Sequence, residues 1–147
     1  MVHLLNVTYN MFNDFLDYIP SFVYRPQFYP GTDAFVLCFS LVDPTSFENI
    51  ESKWVSELKH HCPTVPIVLV GMKKDLRHCN NMKENGEKNI HTQREEGLAL
   101  AERIKAFSYI ECSAKTGDNV REVFESATKA ALQEKPKSRV SKKCNIL

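Results

Sequence analysis

Two short runs of polar and charged residues follow apolar stretches of this sequence. Gly71-Met72-Lys73-Lys74-Asp75 comes directly after the apolar run 67–70, and Glu111-Cys112-Ser113-Ala114-Lys115 follows a second apolar run that begins at Phe107. Ligands of α/β proteins bind at the carboxyl ends of parallel strands, which is where both runs are expected to lie. Their carboxylate, hydroxyl and ammonium groups can hydrogen-bond a ligand. These two runs are therefore the candidate binding residues of the chain.

Apolar patterning predicts that strands and helices alternate from residue 34 onward. Residues 34–41, 67–70 and 107–112 are predicted strands, because near-continuous apolar runs are typical of strands buried on both faces. Helices are predicted from about Ser46, after a capping box formed by Thr92 and Glu95, and from Asn119. This alternation predicts an α/β fold with a parallel sheet and right-handed crossovers.

Helical spacing also predicts which side chains of the last two helices are buried. The expected buried face of the second helix consists of Leu98, Ala101 and Ile104. The expected buried face of the third helix consists of Val120, Val123, Phe124, Ala127 and Ala131. Residues 77–91 have the composition of a loop, and the chain after Pro136 has no periodicity, which is typical of a disordered tail.

A glycine-rich phosphate loop of the form G-x-x-x-x-G-K-[ST] does not occur in the sequence. In such a loop, backbone N–H groups and a lysine cradle the phosphates of a nucleotide. No two glycines of this chain lie five residues apart, and none is followed by Lys and then Ser or Thr; the five are Gly31, Gly71, Gly86, Gly97 and Gly117. The sequence therefore predicts no phosphate cradle of this type.

Length and composition favour one domain of a cytosolic protein. The chain has 147 residues, and no apolar run approaches the roughly 20 residues that a membrane-spanning helix needs. The first twenty residues lack Lys and Arg and contain Asp14 and Asp17, so the basic region of a signal peptide is absent. Five scattered cysteines without an export signal predict reduced thiols.

Charge is unevenly distributed along the chain. The net charge is +1, but five Lys and Arg residues and no acid follow Glu134, so that tail carries +5 and residues 1–134 carry −4. An acidic body with a basic tail argues against nucleic acid as the main partner. It fits an anionic membrane surface better.

Several stretches of the sequence resemble Rho-family small GTPases of the Ras superfamily. They include Tyr29-Pro30-Gly31-Thr32-Asp33, Ser46-Phe47-Glu48-Asn49-Ile50, Asp75-Leu76-Arg77 and the segment 111–125. The loop near 78–91 lies where Rho proteins carry an insert. The resemblance implies an incomplete P-loop NTPase-like (small G protein) fold, with three layers around a mostly parallel sheet.

The resemblance also implies how the chain is divided. Residues 1–23 form a divergent N-terminal segment, residues 24–134 a partial small GTPase domain with the Rho-type insert, and residues 135–147 a basic hypervariable tail. On this interpretation the chain is N-terminally truncated or divergent, and it lacks the P-loop and the first switch.

By resemblance, the two candidate runs read the guanine base of GTP or GDP. Lys73 would lay its stem over one face of the base, and Lys115 would pack on the other. Asp75 would accept hydrogen bonds from the ring N–H and the exocyclic amine. Ser113 and Ala114 complete the second motif, and the N–H of Ala114 would meet the guanine carbonyl oxygen.

Two departures from the family pattern bear on activity. Met72 occupies the position of an Asn or Thr that ties the base loop to the phosphate loop, and Met cannot make that hydrogen bond. The phosphate-binding Lys, the Mg²⁺-holding Ser or Thr and the water-positioning Gln have no counterparts, so no catalytic residue and no Mg²⁺ site can be assigned. We therefore expect weak nucleotide binding and no efficient GTP hydrolysis, although the family consists of GTPases.

The C-terminus Cys144-Asn145-Ile146-Leu147 fits the C-a-a-X pattern, and its final Leu favours geranylgeranylation of Cys144. A prenyl group and the basic tail together form a two-signal anchor. We expect a cytoplasmic protein held peripherally on membranes, the plasma membrane in particular. The resemblance implies exchange factors, activating proteins, effectors and a GDI-like chaperone as partners.

Other interpretations stay open at this stage. The protein could be a non-enzymatic prenylated interaction or decoy protein, or an unstable truncated gene product. His60, His61, Cys62, His78 and Cys79 lack the spacing of a zinc site. The strand-like segment 4–9 could cover the open edge of the first predicted strand.

Overall fold

A computed structural model describes residues 29–77 and 91–133 of the chain. Three strands form one parallel sheet in the order β1-β2-β3: β1 is Phe35–Ser40, β2 is Ile67–Met72 and β3 is Ser108–Glu111. Phe35 pairs with Ile67 at the start of β1, and Gly71 pairs with Glu111 at the end of β3. The predicted strands and their parallel arrangement are thus confirmed.

One continuous helical stretch connects β1 to β2. It consists of α1 (Pro44–Asn49), a π-helical segment (Ile50–Val55) and α2 (Ser56–His61). Asp43 caps its start, because the carboxylate accepts the backbone N–H groups of Thr45 and Ser46 at 3.1 and 3.3 Å.

The other two helices flank β3 in the sequence. Helix α3 (Arg94–Ile104) precedes β3, and α4 (Val120–Ala131) follows it. A short 3₁₀ turn, Lys74–Leu76, follows β2 directly. The order of elements is the predicted alternation of strands and helices.

The sheet is the middle of three layers, because alternate residues of each strand face opposite sides. Phe35, Leu37 and Phe39 of β1 pack with Leu100 and Ile104 of α3 in one core, which also contains residues of the connecting helical stretch. A smaller core on the other side joins even-numbered strand residues to α4; its buried members are Ala34, Val36, Cys38, Val68, Val70, Cys112, Val123, Ala127 and Ala130. The predicted α/β layering is confirmed.

The start of α3 and the buried faces of both α3 and α4 differ from the sequence expectation. The capping interaction of α3 lies one residue later than predicted: the Glu96 carboxylate accepts the N–H of Gln93 at 2.7 Å. Leu98 is 47% exposed, and Gly97 lies on the buried face of α3 instead. The expectation for Leu98 was wrong because a small residue is needed where Tyr109 crosses the helix.

Helix α4 also departs from its predicted pattern. Phe124 is 47% exposed, whereas Val123 and Ala127 are buried as predicted. Ala130, and not Ala131, is buried at the end of the helix. The expectation that Phe124 is buried was wrong, because α4 packs on β2 and β3 with the face that carries Val123, Ala127 and Ala130.

Gly97 lets α3 approach the ring of Tyr109 closely. A Cβ atom at position 97 would lie 2.2 Å from Cζ of Tyr109, far inside van der Waals contact. The ring cannot easily move away, because it stacks on Phe39 with centroids 6.3 Å apart and its hydroxyl donates to Glu111 at 2.8 Å. Gly97 thus sets the distance between α3 and β3.

We expect Gly97→Ala to destabilise the fold by about 1–2 kcal/mol. Overpacking costs roughly 1–3 kcal/mol, and the gain in helix propensity offsets less than 1 kcal/mol of it. Urea unfolding measures the change, with Glu102→Ala, an exposed position of the same helix, as control. A Gly97→Ala protein as stable as the Glu102→Ala protein would contradict the close packing of Tyr109.

Candidate functional site

The two candidate runs meet at the carboxyl ends of β2 and β3. Backbone hydrogen bonds continue past the paired residues Gly71 and Glu111, because the N–H of Cys112 donates to Gly71 at 2.8 Å. The N–H of Lys74 in turn donates to the carbonyl of Cys112 at 3.1 Å. The structure therefore brings together two segments that lie about 40 residues apart in the sequence.

Lys73 turns the chain sharply after β2. Its backbone is left-handed, with φ of 62°, an uncommon conformation for a residue with a side chain. The 3₁₀ turn Lys74–Leu76 starts immediately after it. The Lys73 side chain is exposed, and Asp75 is carried on the turn toward the end of β3.

Asp75 and Ser113 are joined by a short hydrogen bond. The hydroxyl of Ser113 donates to Oδ1 of Asp75 at 2.6 Å. Ser113 is 1% exposed, and its hydroxyl oxygen also accepts the N–H of Thr116 at 3.2 Å. The hydroxyl therefore fixes the Asp75 carboxylate relative to the loop that follows β3.

Internal hydrogen bonds shape the loop between β3 and α4. The N–H of Gly117 donates to the carbonyl of Ser113 at 2.9 Å, and the N–H of Ser113 donates to Asp118 at 3.0 Å. Gly117 has φ of 80°, which glycine adopts without strain. Ala114 and Lys115 are exposed, and no hydrogen bond of this loop to another described residue uses the N–H of Ala114.

Helix α4 starts after Asn119 as predicted, but the Asn119 side chain makes no capping hydrogen bond. Asn119 has a left-handed backbone, with φ of 56°, and its side-chain amide donates to the carbonyl of Glu111 at 2.8 Å. The loop is thus closed onto the end of β3. Asp118 makes a further tie, because its carboxylate lies 2.7 Å from Nζ of Lys74 on the turn after β2.

The first residue of the second run, Glu111, carries a buried carboxylate. Glu111 is 2% exposed and forms two hydrogen bonds of 2.7 Å with the guanidinium of Arg77. Tyr109 donates to it at 2.8 Å, and Nη1 of Arg94 is 3.8 Å away. Arg77 also donates to the carbonyl of Thr92 at 3.0 Å, ahead of α3.

These contacts determine the charge state of Glu111. Burial by itself raises the pKa of this carboxyl, but the hydrogen bonds from Arg77 and Tyr109 and the charges of Arg77 and Arg94 outweigh it. The net effect is a lowered pKa, so Glu111 is ionised at neutral pH. Burial, with the neighbouring Glu111, raises the pKa of Tyr109, so its phenol stays protonated and can donate.

Met72 faces the apolar side of the sheet. Its side chain packs against the smaller core on the α4 side and lines a cavity together with Val36 and Cys38. Its carbonyl accepts the N–H of Leu41 at 2.9 Å, which ties β2 to the end of β1. An apolar side chain suits this environment, where an amide or hydroxyl would need a polar partner.

The sequence alone predicted no role for Arg77, for Tyr109 or for the carboxylate of Glu111. The position of Glu111 could have predicted a buried ion pair, because an acidic residue at the end of a buried strand requires a partner. The sequence could not predict that the partner is Arg77, because Arg77 lies 34 residues away along the chain.

Residues 29–77 and 91–133 contain neither a candidate metal cluster nor a membrane-spanning helix. These ranges contain no group of three or more His, Cys, Asp or Glu side chains that could hold a metal ion. No helix in the same ranges is long and apolar enough to cross a bilayer. Cys144, His78 and Cys79 lie outside the described residues.

We expect Arg77→Gln to destabilise the protein by about 2–4 kcal/mol at neutral pH. Removing one partner of a buried ion pair costs roughly 3–5 kcal/mol, and Tyr109 still contacts the carboxylate. Burial then dominates and raises the pKa of Glu111 above its unfolded value. The loss should therefore shrink as the pH falls from about 7.5 to about 5, where the carboxyl gains a proton.

Urea unfolding of both proteins at the two pH values measures this effect. Arg103→Gln is the matched control, because Arg103 pairs with Glu51 at 3.1 Å while both side chains are 53% exposed. That variant should lose less than about 1 kcal/mol at either pH. An Arg77→Gln deficit that is equally large at both pH values would contradict the buried charge at Glu111.

A comparison with known protein families agrees with this arrangement. The model of the Ras family matches residues 22–133, which include all three strands and both candidate runs. The match covers well over half of the 147 residues. The parallel sheet, the turn at Asp75 and the loop after β3 all lie within the matched segment, and the chain belongs to the Ras family of small GTPase-like proteins.

Proposed function

We propose that this chain is a Rho-like member of the family that recognises the guanine base of GDP and GTP at the ends of β2 and β3. The single observation that carries the proposal is the 2.6 Å hydrogen bond from Ser113 to Asp75. It holds a carboxylate in a fixed position between the two candidate runs. Family membership supports a guanine nucleotide as the ligand.

The Asp75 carboxylate supplies the selectivity of the proposed site. A carboxylate accepts two hydrogen bonds, and the guanine edge offers a ring N–H beside an exocyclic amine. In adenine the ring nitrogen N1 is an acceptor and the neighbouring C2 carries no amine, so this pair of adjacent donors is absent. A site built around a specific donor pair rejects a ligand that lacks the pair.

Three other residues complete the proposed base site. The exposed Lys73 and Lys115 lie on the turn and on the loop that flank Asp75, from which their stems can cover the two faces of the base. The N–H of Ala114 is the proposed donor to the guanine carbonyl oxygen. The left-handed backbone of Lys73, with φ of 62°, directs the chain into this arrangement.

We propose that binding is weak and that hydrolysis is inefficient. The phosphates and their Mg²⁺ supply much of the affinity in this class of site, and the sequence contains no G-x-x-x-x-G-K-[ST] loop. A base site alone has an expected Kd on the order of millimolar. The signalling partners of the family, namely exchange factors, activating proteins and effectors, are proposed for this chain on family grounds alone.

NMR titration with guanosine monophosphate tests the base site, because it detects millimolar binding. We expect shifts at the amides of Lys73, Asp75 and Ala114, with weaker binding of the inosine nucleotide and weakest binding of the adenosine nucleotide. Asp75→Asn removes charge-assisted hydrogen bonds, each worth about 1.5–3 kcal/mol, and should weaken binding by roughly tenfold or more.

The matched control for this titration is Asp33→Asn. Asp33 lies before β1, at the opposite end of the sheet, so this variant should bind guanosine monophosphate as the parent does. Equal affinity for the guanosine and adenosine nucleotides would contradict base recognition. Submicromolar binding of GTP, or phosphate release above the uncatalysed rate, would contradict the proposed weak and non-hydrolytic behaviour.

We further propose that the C-terminal tail anchors the protein at the cytoplasmic face of membranes, the plasma membrane in particular. The C-a-a-X sequence at Cys144 and the basic residues before it support this. A prenyl group would also create a ligand for a GDI-like chaperone. This function does not depend on the base site.

Cys144→Ser should move the protein from the membrane pellet to the soluble fraction of cells. A single prenyl chain supplies about 0.8 kcal/mol per buried CH₂, and the tail cations add up to about 1 kcal/mol each, so removal of the chain leaves too little affinity. Cys62→Ser, outside the C-a-a-X sequence, is the control. Unchanged pelleting of the Cys144→Ser protein would refute the lipid anchor.

A further inference from the structure

The outer edge of β1 carries backbone groups that β2 does not use. Phe35 donates its N–H to Pro66, and Leu41 donates to Met72, both at 2.9 Å on the β2 side. A parallel ladder uses every second residue, so the N–H groups of Leu37 and Phe39 also point to β2. Those of Val36, Cys38 and Ser40 point to the opposite edge.

The start of α1 covers the last of these three groups. The N–H of Ser40 donates to the hydroxyl of Ser46 at 2.9 Å, and the N–H of Asp43 donates to the carbonyl of Ser40 at 3.1 Å. Within the part of the chain that the structure describes, no strand pairs with this edge of β1. The backbone of Val36 and Cys38 is thus the section of the edge that needs a partner.

An apolar groove runs beside this same section. A cavity of about 70 Å³ lies on the α4 side of the sheet, and Val36, Cys38, Val70, Met72 and Phe124 are among its lining residues. Phe124 is 47% exposed at its margin. Burial, followed by the effect of the neighbouring Cys112, raises the pKa of Cys38 to about 12, so this thiol stays neutral and the groove stays apolar.

The segment before Tyr29 has a suitable composition and a suitable attachment point to cover both the outer edge of β1 and the apolar groove beside it. Sixteen of residues 1–28 are apolar, whereas only Asp14, Asp17 and Arg25 are charged. Tyr29 is fixed at the amino end of β1, with its ring 5.5 Å from that of Phe35. Strand β1 is about 20 Å long at roughly 3.3 Å per residue, so 28 residues suffice to run along it and return.

We propose that residues 1–28 of this chain dock on the outer edge of β1. The strand-like segment 4–9 pairs with the backbone of Val36 and Cys38, and apolar residues of the remaining segment fill the groove beside Phe124. Pairing supplies the missing hydrogen-bond partners, and covering an apolar edge protects the sheet from association with other chains. The proposal does not depend on guanine binding.

Two backbone amides report on this edge. In the full chain we expect the N–H groups of Val36 and Cys38 to exchange with solvent slowly, within about tenfold of those of Leu37 and Phe39. Residue-resolved hydrogen exchange by NMR measures this. Leu37 and Phe39 are an internal control, because their bonds to β2 report only whether the sheet is folded.

A double variant identifies the segment that provides the protection. Asn6→Pro with Val7→Pro removes one N–H from each edge of the proposed strand, so a donor toward β1 is lost whichever way the strand faces. Exchange at Val36 and Cys38 should become at least tenfold faster, with Leu37 and Phe39 unchanged. Asn6→Thr with Val7→Thr keeps both N–H groups and strand propensity, and should keep the protection.

Three results would overturn the proposal. They are fast exchange at Val36 and Cys38 in the parent chain, protection that depends on protein concentration, and protection that survives the double proline change. The second result would indicate a second copy of the chain at the edge. If the proline variant does not fold, NOEs between residues 4–9 and Val36 or Cys38 in the parent chain decide: their presence supports the docking and their absence refutes it.

Discussion

The buried ion pair between Glu111 and Arg77 is the interaction on which the candidate site depends. Glu111 ends β3 with 2% exposure, and the guanidinium of Arg77 meets it with two bonds of 2.7 Å. A carboxylate in this position is tolerable only when its oxygens are satisfied, and Tyr109 completes the set. Because Arg77 also bonds to Thr92, one guanidinium joins β3, the turn after β2 and the segment ahead of α3.

Two residues of the proposed base site lie on the same segments that the buried pair joins. Asp75 lies two residues before Arg77, and Ser113 lies two residues after Glu111, so the Asp75–Ser113 pair and the Glu111–Arg77 pair cross-link the same two segments. The Lys74–Asp118 contact adds an exposed third tie, whose side chains are 34% and 47% accessible. The buried pair supplies rigidity, and the Asp75–Ser113 bond uses that rigidity to orient a carboxylate. A pre-oriented carboxylate loses less entropy when it binds a base.

The sheet accommodates Met72, which departs from the family pattern, in an apolar environment. Met72 stands where a polar residue would connect the base loop to a phosphate loop, and here it lines an apolar cavity with Val36 and Cys38. The proposed base site uses only β2, β3 and the loops after them, so its geometry does not require a phosphate loop. The proposed affinity is weak because few contacts can hold a base alone.

Patterns along the chain were sufficient to predict the order of elements, the parallel sheet and the two runs at its carboxyl edge. Each of these follows from local rules: apolar runs make buried strands, and alternation with helices makes parallel crossovers. The same rules placed Leu98 and Phe124 in the core, where the structure leaves both 47% exposed. Helical periodicity predicts the direction of an apolar face, but residues at the edge of that face can be either buried or exposed. In α3, the packing of Tyr109 against Gly97 determines which residues are buried.

The sequence by itself determined the family and supplied the residues of the proposed base site, because those residues form contiguous motifs. Only the tertiary structure decided that Asp75 is oriented by Ser113 and that Arg77 neutralises Glu111, since each pair joins segments 34 or more residues apart. It also decided which backbone groups of β1 require a partner, because hydrogen-bond direction depends on strand register. Contacts between distant segments follow from chain folding, and no local pattern encodes them.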